Sequence, residues 1–190
     1  MEHVSEPGQR APAPDPLRLV QDFVNTLDVE NGTDLLSDSA GLAEWLRDQG
    51  LPGSGGPLTS ADVAATAELR EALRALLRAN AGGEPDPQAA AIVNRAAQHA
   101  PLRIRLDPAG RATLEAAAGD GAAPAAILAA VYAGMADGTW TRLKACLDPE
   151  CEWAFYDRSR NRSSHWCDMA ACGSRHKVRA YRERRHTAGQ

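Results

Sequence analysis

The four cysteines of this chain, Cys146, Cys151, Cys167 and Cys172, all fall in one short stretch near the C-terminal end, spaced C-x4-C-x15-C-x4-C. No other feature of the sequence restricts the fold as strongly. Each close pair can supply two thiolates from a single turn, and the spacer is long enough for a hairpin that brings the pairs together. Asp148-Pro149-Glu150 inside the first pair is good turn chemistry. Trp153–Tyr156 reads as a strand, Arg158–His165 as a polar loop, and Cys172-Gly173 as the opening of a helix reaching about Arg185.

Knuckle, hairpin and a second knuckle merging into a helix is the layout of a treble-clef-like zinc finger. Two disulfides or four free thiols are the alternatives, and in a reducing compartment clustered cysteines favour metal. His165 and His176 could stand in as ligands, but four thiolates already complete a tetrahedron, so both are expected to make polar contacts. Four protein ligands leave no open position for water or substrate. One structural zinc ion is therefore the expected cofactor.

The rest of the chain differs in kind. From Trp140 to Gln190 there are 11 Lys and Arg against 6 Asp and Glu, whereas Met1–Thr139 carries 10 against 19, so a net charge of −4 hides opposed halves. Six of the nine aromatics also lie in those last residues. A module too small to bury a large aliphatic core uses aromatics and a metal instead. The chain accordingly divides into a polar lead-in over 1–14, expected to be disordered, an α+β domain over 15–138, and the finger over 139–187.

The central domain reads as mainly helical with one β-hairpin. Asp15-Pro16 looks like a helix start, followed by Leu17, Val20, Phe23, Val24 and Leu27 at helical spacing. Ser39 is the expected cap of a helix bearing Leu42, Trp45 and Leu46, and Thr59 or Ser60 that of one bearing Leu69, Leu73, Leu76 and Leu77. Gly53–Pro57 between them reads as a flexible loop. Asp86-Pro87 starts another helix through Ile92 and Val93. Leu102–Leu106 and Arg111–Ala116 alternate about an Asp107–Gly110 turn, which predicts the hairpin. Ala122–Ala136, an apolar run containing Pro124, is too short to span a membrane and reads as a buried helix. No signal peptide is recognisable, so a cytoplasmic protein without membrane contact is expected.

The sequence lacks H-E-x-x-H, a P-loop, G-x-S-x-G and the deaminase zinc signature, and an enzyme is not expected.

Arg158-Ser-Arg-Asn161, Trp166-Cys-Asp-Met169, Cys172-Gly-Ser-Arg175 and Lys177 closely resemble the CGNR zinc-finger family. Asp22-Phe-Val-Asn-Thr-Leu-Asp28 looks like the start of the ABATE domain that accompanies this finger. Ser174 stands where the signature has Asn, and Ser164-His165 stand where the family often has two arginines. The resemblance implies a stress-related, DNA-binding transcription regulator.

On a helix from Cys172 to Arg185, Ser174, Val178 and Tyr181 share the side expected to meet the zinc core. Arg175, Arg179 and Arg182 form an adjoining strip, with Lys177 flanking the other side. These cations, with Asn161 and Arg162 on the preceding loop, are the expected DNA contacts. Arg175 has a competing role, bracing the loop Arg158–Asn161, and Asn25 reads as a buried polar anchor. The functional expectation is a DNA-binding regulator whose N-terminal domain is a sensor for a small-molecule effector or an oligomerisation domain. The alternative is a zinc-stabilised protein-interaction or small-molecule-binding protein without direct DNA contact.

Overall fold

A computed structural model describes residues 8, 10–51, 56–117 and 121–187. Part of the Gly53–Pro57 loop, through Gly55, lies outside the described residues, as do residues 1–7 and 9 of the lead-in. The fold is α+β: a mainly helical N-terminal part with β-hairpins, and a C-terminal treble-clef-like finger. The elements are α1 (Leu17–Val24), β1 (Leu27–Asp28), β2 (Thr33–Asp34), α2 (Ser39–Asp48), α3 (Ser60–Asn80), α4 (Pro87–Gln98), β3 (Leu102–Leu106), β4 (Ala112–Ala116), α5 (Ala122–Ala136), β5 (Leu143–Ala145), β6 (Ala154–Tyr156) and α6 (Ser174–Thr187). Among the described residues there are three sheets, each a two-stranded antiparallel hairpin.

Local chemistry sets most helix starts. The Thr59 side chain accepts from Asp62 N while the Asp62 carboxylate accepts from Thr59 N, a reciprocal cap for α3. Asp86 caps α4 with Pro87 in its first turn, as expected. Asp38 caps α2, one residue ahead of the expected Ser39. Asp15 does not cap α1, because the helix begins only at Leu17 and Pro16 fills the cap position.

α1 buries Leu17, Val20, Phe23 and Val24 completely or nearly so, each large side chain stabilising by roughly 1.5–3 kcal/mol. Its partner α5 approaches closely at Gly134, where any Cβ would run into the Leu17 side chain. β3 and β4 pair in register from Leu102 opposite Ala116 to Leu106 opposite Ala112, and the Asp107 carboxylate holds the turn by accepting from Ala109 N and Arg111 N. The β1–β2 hairpin was not foreseeable from pattern, since two-residue strands have no period to read. No helix among the described residues is long and apolar enough to cross a membrane.

The composition break near Gly138 is not matched by a gap in packing. Trp140, Leu143, Ala145, Ala154 and Tyr156 belong to the same buried cluster as α1, α2, α3 and α5. Residues 10–13 of the lead-in join in as well. Instead of being free, Arg10 donates to the carbonyls of Cys167 and Trp166, Ala13 is buried, and Pro12 O accepts from Arg158. Finger carbonyls for Arg10, the Arg158 guanidinium for Pro12 and the Gln21 amide for Ala13 are partners that composition alone does not reveal.

Asn25 sits at this junction. Its amide donates to Ala154 O at 2.9 Å and accepts from Ala154 N at 2.7 Å, completing the edge of β6 as a neighbouring strand would. Asn25→Ala would strand Ala154 N and leave Ala154 O with only the longer, 3.3 Å bond from Gln21 Nε2. A loss of about 1–3 kcal/mol is expected in denaturant unfolding, and Asn25→Asp, which cannot donate, should recover little of it. Parent-like stability of either variant would show that the contact is dispensable.

Candidate metal centre and basic surface

The metal centre grows from the β5–β6 hairpin. Cys146 follows β5 and donates its N–H to Trp153 O at 2.9 Å, which closes the first knuckle. Glu152, just past Cys151, takes a left-handed conformation with φ 53° to turn the chain into β6. The second knuckle is shaped by Asp168, whose carboxylate accepts from Ala170 N and Ala171 N and starts a single wide turn over Met169–Gly173. That turn, absent from the expected helix beginning at Cys172, swings Cys172 inward before α6 starts. Gly173 lets the exposed Met169 side chain and the Trp166 ring lie close against the turn, since a Cβ there would displace the Met169 sulfur.

The four Sγ atoms lie within 4.8 Å of one another, and all four cysteines are buried and unbridged. Cys151 to Cys167 is 3.4 Å and Cys167 to Cys172 is 3.7 Å. A tetrahedron with Zn–S bonds of about 2.3 Å has edges of about 3.8 Å, so the spacing fits one zinc ion. Charge points the same way. Hydrogen bonds from Cys151 and Cys167 pull the Cys146 thiol well down. Hydrogen bonding to Cys146 pushes Cys151 and Cys167 up, and burial followed by the Cys146 charge pushes Cys172 up. Four thiolates held this close repel one another unless a dication sits between them. This is a structural zinc site, with His165 and His176 outside it. His165 bonds Ala81 O through Nδ1, and His176 lies against the Trp166 ring at 4.7 Å.

Arginines surround the first knuckle. Asp148, 1% exposed, accepts from Arg175 Nε and Arg179 Nη2, each at 2.6 Å. Burial raises the Asp148 pKa, and the hydrogen bonds from Arg179 and Arg175 outweigh it, so the carboxyl stays low. Arg175 also reaches Cys172 Sγ at 3.1 Å and Glu30 at 2.7 Å, tying the zinc shell to the β1–β2 turn. From the opposite side, buried Arg74 donates to Glu152 O, and Arg78 pairs with the Glu152 carboxylate. None of the α3 arginines was singled out by sequence; an arginine on an otherwise apolar helical face is the only signal there was.

A second buried pair shapes the basic loop. Lys144 Nζ meets Asp157 Oδ2 at 2.9 Å and also donates to the carbonyls of Arg162 and Ser164. Asp157 further accepts from the N–H groups of Ser159 and Ser164. Burial opposes ionisation of Asp157, yet hydrogen bonds from Ser159, Lys144 and Ser164 hold its pKa well below the ordinary value of 3.8. The pair folds the segment 158–164 back on itself and leaves its arginine side chains outside.

The six expected DNA contacts are thus divided. Asn161, Arg162, Lys177 and Arg182 are exposed. Arg175 and Arg179 are turned onto Asp148, and Arg175 braces the first knuckle where the loop Arg158–Asn161 was expected. The side of α6 expected to meet the zinc core also differs. Ser174 is exposed, and Val178 and Tyr181 are 47% and 54% exposed, because ion pairs to Asp148 and the His176–Trp166 contact dock the opposite side.

Three expectations follow from this arrangement. Purified protein should carry one zinc per chain, lost on Cys→Ser at any of the four positions. Chelation should lower the melting temperature of the whole chain, since Leu143, Ala145 and Tyr156 lie in the common core; amide protection in α1 that survives chelation intact would refute this coupling. Asp157→Asn should destabilise by roughly 3–5 kcal/mol at neutral pH by leaving Lys144 buried without a counter-charge. The folded pKa of Asp157 is depressed, so its contribution is present above the ordinary carboxylate pKa and disappears as pH falls through the folded value. The stability gap between parent and variant should therefore narrow below about pH 4. A pH-independent gap would exclude the charge as its origin.

Residues 17–138 match the ABATE family, described as "Putative stress-induced transcription regulator", and residues 142–185 match the CGNR zinc finger. No curated protein matches the chain. With more than half its length in the first match and all four metal-binding cysteines in the second, the chain belongs to the ABATE family and carries a CGNR zinc finger at its C-terminal end.

Proposed function

We propose that this protein is a DNA-binding transcription regulator whose zinc finger docks on duplex phosphates, with the N-terminal domain as its sensor or oligomerisation domain. The reading rests on how the finger's cations are sorted. Lys144, Arg175 and Arg179 face carboxylates. Arg160, Arg162, Lys177 and Arg182 are exposed, and among the described residues none of them forms an ion pair. Unpaired cations on a zinc-fixed loop and helix can neutralise phosphates without first giving up an internal partner. The family's description as regulators supports the same reading, and no catalytic role is assigned to the closed zinc site.

One observation favours a second reading. Val178, Tyr181 and Met169 are exposed large apolar residues of the finger, a composition suited to a protein partner.

The two readings differ in salt dependence. Replacing both Lys177 and Arg182 by alanine should leave zinc content unchanged and stability within about 0.5 kcal/mol per site. Affinity should fall for every duplex, and the slope of log K against log salt should shrink by about one per lost phosphate contact. Arg175→Ala should instead lower stability, since it takes from buried Asp148 one of its two guanidinium partners and unties Glu30 from the finger. Equal affinity and slope for the double variant and the parent would transfer the lead to the protein-partner reading.

A further inference from the structure

Away from the finger, α2, α3, α4 and α5 enclose a cavity of about 430 Å³. That is within the ~300–1,000 Å³ typical of small-molecule sites. Its walls are apolar, with Leu42, Trp45, Leu69 and Ile127 contributing buried side chains. The cavity opens to solvent past its half-exposed rim, so its apolar lining meets water where a ligand would give it dispersion contacts.

The polar groups at the rim select the occupant. Arg95 on α4 and Glu68 on α3 also line the cavity and pair at 2.6 Å, each about half exposed, so they neutralise one another. Asp62 is already used by Thr59 in the α3 cap. His99 Nδ1 bonds Arg95 O. Asp62 keeps a charge with no ionic partner among the described residues, held in the α3 cap by neutral donors. Arg95 is spent on Glu68, so no guanidinium of the rim is left to recruit an anion, and the Arg95–Glu68 pair offers a donor and an acceptor side by side. The chemistry suits a neutral, largely apolar molecule with one small polar end.

α3 connects this cavity to the metal centre. Its first half carries Asp62, Ala65, Glu68 and Leu69 on the cavity wall. Its second half carries Arg74 and Arg78, which hold Glu152 of the first knuckle, and Asn80, which donates to Trp140 O and Leu143 O. A helix is stiff along its axis, so displacement at one end is carried to the other.

We infer that the cavity between α2, α3, α4 and α5 binds a neutral apolar small molecule, and that α3 passes its occupancy to the zinc knuckle. The regulatory purpose rests on the reading above, whereas the binding chemistry does not. The probe is N-phenyl-1-naphthylamine, neutral and fluorescent in apolar surroundings, added to the full zinc-loaded chain without DNA. Saturable enhancement at one probe per chain is expected, weakened by about tenfold or more in Ala65→Trp, which fills the cavity from its exposed wall. Ala96→Phe fills it from α4 and should do the same, and a variant counts only if its circular dichroism and zinc content match the parent. Hydrogen exchange around Glu152 should slow when the probe binds. Absence of enhancement, or enhancement untouched by both filled variants, overturns the site. Binding with unchanged exchange at the knuckle overturns the α3 connection. Either result leaves the salt titration of DNA binding free to succeed or fail by itself.

Discussion

Two strands of three residues each carry the chain's two cores. Side chains on a strand alternate between faces, so Leu143 and Ala145 of β5 and Ala154 and Tyr156 of β6 point into the helical core. Phe155 of β6 points the other way and packs with Trp153 and the cysteines. An isolated hairpin this short is not stable in water. It persists because zinc fixes one end through Cys146 and Cys151, helices cover one face, and Asn25 completes one edge. Loss of any of these supports weakens the surfaces that depend on the others.

The polar wiring follows from that arrangement. A knuckle turn exposes carbonyls and carboxylates that a small core cannot cover, and arginine's planar fork suits several acceptors at once. Arg74 reaches Val24 O, Leu27 O and Glu152 O from one guanidinium while also pairing with Glu71. Arg70, equally buried, grips both oxygens of Asp34 and so holds the β1–β2 turn whose Glu30 receives Arg175. N-terminal domain and finger are therefore joined by ion pairs and hydrogen bonds as well as by apolar contact. Buried charges of this kind persist only when every donor has a place to go.

What could be read in the sequence was what depends on spacing. The cysteine pattern located the metal, the apolar positions of α1 and α3 located the core, and alternation located β3–β4. Asn25 was legible as an anchor because a polar residue interrupting an apolar face must find a partner. Long-range polar partners were not legible. Nothing local distinguishes Arg175 and Arg179, which face Asp148, from Arg182, which does not. The outward side of α6 is illegible for the same reason: Val178 and Tyr181 look like a packing face until Asp148 and Trp166 are known to hold the other side. Periodicity identifies a stripe; its partner decides whether that stripe is inside.

That distinction bears on how net charge should be used. A local excess of eleven cations over six anions attracts phosphates over a Debye length of about 8 Å at physiological salt whichever cations are paired. Contact is a separate matter. An arginine already bonded to a buried carboxylate would have to leave that carboxylate uncompensated before taking a phosphate, and this cost cancels most of the gain. On the proposed reading, long-range attraction would come from all the finger's cations together, whereas phosphate contacts would fall to the few without a carboxylate partner. Zinc contributes indirectly to both. With four thiolates it forms a site of net charge −2, which Arg175 at Cys172 partly offsets, and by fixing the loop and helix it determines which cations remain free.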